Sequence, residues 1–156
     1  MADVVTPAPV IKGADLNDVA AVDATHAWAV GSKDSGGALI EATTDGRTWH
    51  QQVSNASFQL KAVAFAARLH GWAAGSSGYL LATSDGGLTW HKQRVPSQGK
   101  VARSLVDVAA ADSQHVWVTS GGAVYATSDG GAKWTLAATF PASGFSAIAA
   151  VRLGSD

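Results

Sequence analysis

The 156-residue sequence contains no cysteine, so disulfide frameworks and thiolate chemistry are closed to it. Its acidic residues are almost all aspartate, and Glu41 is the single glutamate. Ordinary glycosidases place two carboxyl groups across the scissile bond, and no convincing pair stands out. Charge of one sign is missing too. Eleven Lys and Arg stand against twelve Asp and Glu, giving a net charge of −1, and the basic residues are scattered singly. Such a chain has no basic field to draw nucleic acid or an anionic membrane surface. No apolar run approaches the ~18 residues of a transmembrane helix. The opening Met1-Ala2-Asp3-Val4-Val5-Thr6-Pro7 has neither a positive n-region nor a long apolar h-region. The compartment therefore stays open: cytoplasmic, or extracytoplasmic after removal of a leader. Alanine is abundant, yet glycine and β-branched residues interrupt every helical window, and no i, i+3, i+4, i+7 stripe lasts four turns. Phosphate loops, dinucleotide fingerprints and the Gly-x-Ser-x-Gly elbow are absent as well.

What the chain does have is repetition. Thr83-Ser84-Asp85-Gly86-Gly87-Leu88-Thr89-Trp90 returns as Thr127-Ser128-Asp129-Gly130-Gly131-Ala132-Lys133-Trp134. It also returns one residue shorter, as Thr43-Thr44-Asp45-Gly46-Arg47-Thr48-Trp49. In each copy the Asp can accept hydrogen bonds from backbone N–H groups just downstream. Glycine supplies the positive φ of a hairpin turn, and Trp is large enough to anchor a small core. The expected structural residues are Asp45, Gly46, Trp49, Asp85, Gly87, Trp90, Asp129, Gly131 and Trp134. A lone Asp beside glycines cannot complete a calcium shell.

A second signature, His-x-Trp, recurs as His26-Ala27-Trp28, His70-Gly71-Trp72 and His115-Val116-Trp117. About ten residues before each His lies an apolar opening: Leu16-Asn17-Asp18-Val19-Ala20, Leu60-Lys61-Ala62-Val63-Ala64 and Leu105-Val106-Asp107-Val108-Ala109. A fourth opening begins at Phe145. The repeats run approximately 16–59, 60–104 and 105–144, with a partial fourth at 145–151. The middle repeat predicts strands over 60–66, 71–75, 79–83 and 88–95, joined by Gly/Ser/Asp turns. Four short strands per 40–45 residues predict an all-β chain of four-stranded antiparallel β-propeller blades, with the Ala-rich first strands innermost. Residues 4–6 align with the end of a fourth strand, and 141–144 with a connector. The whole of 1–156 is read as one propeller domain or a fragment of one.

The Asp turn resembles the Asp-box of the bacterial neuraminidase repeat, Ser/Thr-x-Asp-(x)-Gly-x-Thr-Trp, with Lys133 in place of the Thr in the third copy. With a Trp-Ala-x-Gly strand before it (Trp28-Ala29-Val30-Gly31, Trp72-Ala73-Ala74-Gly75), the longer pattern resembles the photosystem II assembly/stability factor family. The resemblance implies a propeller and a non-enzymatic scaffold that presents loops to a protein partner. A glycan-binding or glycosidase-associated propeller is the alternative, because Asp-box propellers serve many functions. A sialidase would need an arginine cluster and a Tyr–Glu pair. Here Arg47 lies inside a turn, and Arg68, Arg94, Arg103 and Arg152 do not occupy matching strand ends.

Other residues are weighed against blander roles. His26, His70 and His115 could be metal ligands, but their repetition favours turn residues, and no metal or other cofactor is expected. Asp18 and Asp107 hold matching positions on first strands, which favours structural hydrogen bonds. The six Trp, two per repeat, fit packing between blades. Loops that differ between repeats, 32–37, 55–59 and 96–103, are where a repeat scaffold acquires specificity. They contribute Lys33, Asp34, Phe58, Lys100 and Arg103 as candidate binding residues, and the family resemblance implies that they lie on the face opposite the Asp turns. Three blades should not close a ring alone. Either chains self-associate, or further blades belong to a longer protein.

Overall fold

The structure is a computed structural model and describes residues 12–96, 103–141 and 147–150. The expected elements at 4–6, most of the connector at 141–144, Lys100, and Phe145, Ser146 and Val151 of the fourth opening lie outside those residues.

Twelve strands form three four-stranded antiparallel sheets. The first blade is β1 (Ala14–Ala21), β2 (Ala27–Lys33), β3 (Ala38–Thr43) and β4 (His50–Gln51). The second is β5 (Leu60–Phe65), β6 (Gly71–Gly75), β7 (Tyr79–Thr83) and β8 (His91–Arg94). The third is β9 (Asp107–Ala110), β10 (Val116–Ser120), β11 (Ala123–Thr127) and β12 (Thr135–Thr139). In each sheet, spatial order follows chain order, as short hairpin connections require. Fourth strands begin later than the composition suggests. Leu88, Thr89 and Trp90 belong to the turn rather than to a strand from 88, and Leu88 points into solvent.

The first strands of successive blades lie side by side, β1 against β5 and β5 against β9, which makes them the inner layer. A register shift interrupts the first strand at Leu16/Asp18 and again at Leu60/Ala62. This bulge turns Leu60 and Val63 to one side of the sheet while Ala62 faces the other. The core consequently sits between blades. Trp28, Val30 and Ile40 of the first blade meet Leu60, Val63, Leu81 and Trp90 of the second. Ala62, Trp72 and Leu80 of the second meet Leu105, Val108, Val118, Tyr125 and Trp134 of the third. Each large side chain so buried contributes about 1.5–3 kcal/mol.

Position in the array overrides residue identity. Leu60 and Leu105 are 0% and 1% exposed, whereas the equivalent Leu16 is 56% exposed. Val63 and Val108 are buried, and the equivalent Val19 is 62% exposed. Glu41 stands where the other blades place Leu81 and Tyr125, and it is buried. Burial pushes its carboxyl above the ordinary range, opposed by the charges of His50 and Lys33.

Candidate functional site

The Asp turns are built by both ends of the motif. The Thr83 hydroxyl donates to Asp85 Oδ1 at 2.8 Å and accepts the Gly87 N–H at 2.8 Å. Asp85 Oδ1 also accepts the Thr89 N–H at 2.9 Å. Thr127, Asp129, Gly131 and Lys133 repeat the pattern at 2.6, 3.0 and 2.9 Å. In the shorter copy Asp45 Oδ1 accepts the N–H groups of Arg47 and Thr48 at 2.8 and 2.7 Å. The hydroxyl of Thr89, then its N–H, holds the Asp85 carboxyl down to about 2. The Thr48 and Arg47 N–H groups lower that of Asp45, and the Thr127 hydroxyl followed by the Lys133 N–H lowers that of Asp129.

Folded values below the unfolded one mean that these turns stabilise the protein fully above the ordinary carboxylate range of ~4. That contribution disappears as pH falls through the folded values. The urea midpoint is therefore expected to drop between about pH 5 and pH 2. Substituting Asp85→Asn should flatten that slope, and an unchanged slope would show that the turn carboxylate is not linked to folding.

A glutamine connects the second and third Asp turns to the preceding blade. Gln52 Nε2 donates to the Gly86 carbonyl at 3.0 Å, and its Oε1 accepts Trp90 Nε1–H at 3.1 Å. Gln93 makes the same pair of bonds to Gly130 and Trp134, both at 3.3 Å. Trp28 Nε1–H also donates to the Gly86 carbonyl, at 3.1 Å. Gly87 and Gly131 adopt φ of +90° and +96°, and a Cβ at either would strike the latching Gln amide. Sequence reasoning missed these glutamines, although both lie three residues after a motif Trp. In the third repeat that place is Ala137.

Asp18 and Asp107 bridge neighbouring inner segments. Asp18 Oδ1 accepts its neighbour Val19 N–H, and Oδ2 accepts the Val63 N–H of the next blade, both at 2.9 Å. Asp107 does the same for Val108 and Ile148. His26 and His115 pair with Asp23 and Asp112 of their own turns at 3.1 and 2.9 Å.

The candidate binding residues divide. Lys33, Asp34 and Arg103 are exposed. Phe58 is a correction: it is 8% exposed, packed in the core between the first two blades, with its ring 5.6 Å from that of Tyr79. An aromatic side chain in a variable loop still buries its apolar area when a neighbouring blade offers a cavity.

A concavity lies at the other end. The Gly46, Gly86 and Gly130 N–H groups bond the carbonyls of Thr25, Leu69 and Gln114, so the Asp turns and the first hairpins share one face. There a groove of about 440 Å³ opens beside the inner strands. The first blade lends Ala21, Val22 and Asp23, and the second Phe65, Ala66, Ala67 and Arg68. Ala110, Ala111 and Ala150 complete it. Alanine walls keep the floor wide, and Phe65 is fixed by stacking on Trp28 at 3.6 Å and 9°. Arg68 Nε lies 2.7 Å from Asp23 Oδ2 and remains 61% exposed. The Thr25 N–H and then the Arg68 guanidinium hold the Asp23 carboxyl well below the usual carboxylate range. This is a surface walled by small side chains, with an oriented ion pair at its edge and a size within the roughly 300–1,000 Å³ of ligand sites.

The family model described as photosynthesis system II assembly factor YCF48 matches residues 9–153. The chloroplastic photosystem II stability/assembly factor HCF136 of Oryza sativa subsp. japonica is 30% identical over 138 residues, 83% of this chain and 32% of that protein. The photosystem II assembly lipoprotein Ycf48 of Synechococcus sp. (strain CC9902) is 30% identical over 127 residues, 78% of this chain and 36% of that protein. A solved structure titled YCF48 bound to D1 peptide superposes with a TM-score of 0.67 at 28% identity, covering 80% of this chain and 40% of that one. The chain thus spans about a third of the length of the curated relatives it matches.

Proposed function

The chain belongs to the photosystem II assembly factor YCF48 family, and from that premise we propose that it is a non-enzymatic assembly scaffold that holds an extended segment of a protein partner. The groove at the Asp-turn end carries this reading. Three blades and the segment 147–150 converge on it, and it offers walls of small alanine side chains with exposed backbone polar groups plus one exposed guanidinium. Extended backbone needs such a channel with few side-chain obstacles, and a single ion pair at the rim can fix its direction. The named relatives are assembly factors, and one is solved with a peptide of D1. A second reading puts the partner on the opposite loops, where Lys33, Asp34 and Arg103 are exposed.

Fluorescence anisotropy with a labelled D1 peptide tests both. Ala66→Trp, which fills the groove, is expected to weaken binding by roughly tenfold or more, a change of about 1.4 kcal/mol per decade. Lys33→Glu and Arg103→Glu should leave it unchanged. The reverse pattern moves the site to the loops, and no binding by the wild-type chain defeats the peptide reading.

A further inference from the structure

On the Asp-turn face the second blade carries two exposed leucines beside the groove, and we propose that they extend it into a track, across which the same partner segment lays an aliphatic or aromatic side chain. The inference rests on the groove reading above. Leu69 is 54% exposed and Leu88 is 83% exposed. They belong to two turns that touch. The Gly86 N–H donates to the Leu69 carbonyl at 2.9 Å, and a Cβ on Gly86 would lie 3.9 Å from Leu69 Cδ2. Leu88 stands two residues further along the Asp turn. On its other side Leu69 follows Arg68, which lines the groove. Small groove walls, a guanidinium and two leucines thus succeed one another outward along a single blade.

The turns do not require leucine at either place. Thr25 and Gln114 stand at the position of Leu69 in the other repeats, and Arg47 and Ala132 at that of Leu88. The same turns close there, with Asp45 and Asp129 bonded as Asp85 is. A single exposed leucine needs no explanation. These two adjoin, and they occur on the blade that also supplies Phe65, Ala66, Ala67 and Arg68 to the groove. The second blade is packed on both sides, against the first and against the third, so no uncovered blade face accounts for their exposure. The order β5-β6-β7-β8 runs outward from the inner layer. The hairpin after β5 and the turn after β7 are therefore two strand positions apart, roughly 10 Å, which extended chain covers in about three residues. The partner is a segment with small residues in the groove and an aliphatic or aromatic one about three positions outward of Arg68. Covering the leucines with that side chain takes apolar surface out of water.

Fluorescence anisotropy and titration calorimetry with the labelled D1 peptide on the full chain test this. Leu69→Gln combined with Leu88→Ala gives the second blade the residues of the third, so its turns should form and near-UV circular dichroism should be unaltered. The combined variant is expected to bind about fivefold more weakly or worse, with a less negative heat-capacity change of binding. Leu136→Gln alters an exposed leucine on β12, away from the track, and should change neither quantity. Full affinity in the combined variant, with Ala66→Trp still damaging, overturns the track and leaves the groove reading standing. A loss in the combined variant with Ala66→Trp harmless overturns the groove reading and the track together. An equal loss in Leu136→Gln shows attraction to any exposed leucine and overturns the track. A wild-type chain that does not bind the peptide overturns both.

Discussion

Trp90→Ala is expected to lower the unfolding free energy by about 3–5 kcal/mol, the range of large aromatic truncations in packed cores. Trp90 is 9% exposed and sits between two blades. Its ring meets Phe65 edge-on at 6.0 Å and 86°, and its Nε1–H is held by Gln52. Removing it opens a cavity and also strips Gln52 Oε1 of its donor, so the latch to the Gly86 carbonyl loosens. Gln52→Ala removes the latch without the cavity, and its cost should be about 0.5–1.5 kcal/mol. Trp49 has the same place in the motif but is only half-buried, so Trp49→Ala should cost clearly less than Trp90→Ala. Urea unfolding of the three variants measures this. Equal losses at Trp49 and Trp90 would mean that the junction between blades does not decide the value of the ring.

Leu60→Ala and Leu105→Ala should each cost about 2–5 kcal/mol, and Leu16→Ala about 0.5 kcal/mol or less, when measured in dilute solution. The three leucines hold equivalent positions at the openings of the three repeats. Leu60 and Leu105 lie under the preceding blade, whereas Leu16 has most of its surface in water. Truncating an exposed leucine removes little buried area and leaves no cavity. A large loss for Leu16→Ala in dilute solution would show that β1 is covered within a single chain.

The turns were the most legible part of the sequence. Asp and Gly at fixed offsets act through bonds spanning four residues or fewer, as Asp85 to Thr89 shows. Their effect is local, and it repeats wherever the motif repeats. The middle strands were legible for a related reason: 71–75 and 79–83 are bounded by glycines and by the turn itself, and both match the structure. The start of β8 was not, because Leu88 and Thr89 have strand-like side chains but are held in the turn by Asp85.

The site was less legible. Phe58 carried no signal of burial, since the side chains around it, Tyr79 among them, are brought there only by the folding of the second blade. Gln52 and Gln93 had a visible spacing from Trp, yet their purpose depends on a glycine carbonyl 34 and 37 residues later. The groove is assembled from alanines that no motif marks. Its one charged feature joins Asp23 to Arg68 across 45 residues.

By itself, then, the sequence determined the unit: a four-stranded blade with its Asp turn, repeated three times, and the absence of cysteine and of a charge excess. Period-two patterning, turn glycines and Asp–amide bonds are properties of neighbouring residues, so they can be read in order. Only the tertiary structure decided what each copy of the unit is worth. Leu16 and Leu60, or Asp18 and Ala62, differ in burial and bonding because of which blade stands beside them. That is set by stacking between blades, where burial depends on neighbours that local pattern does not name.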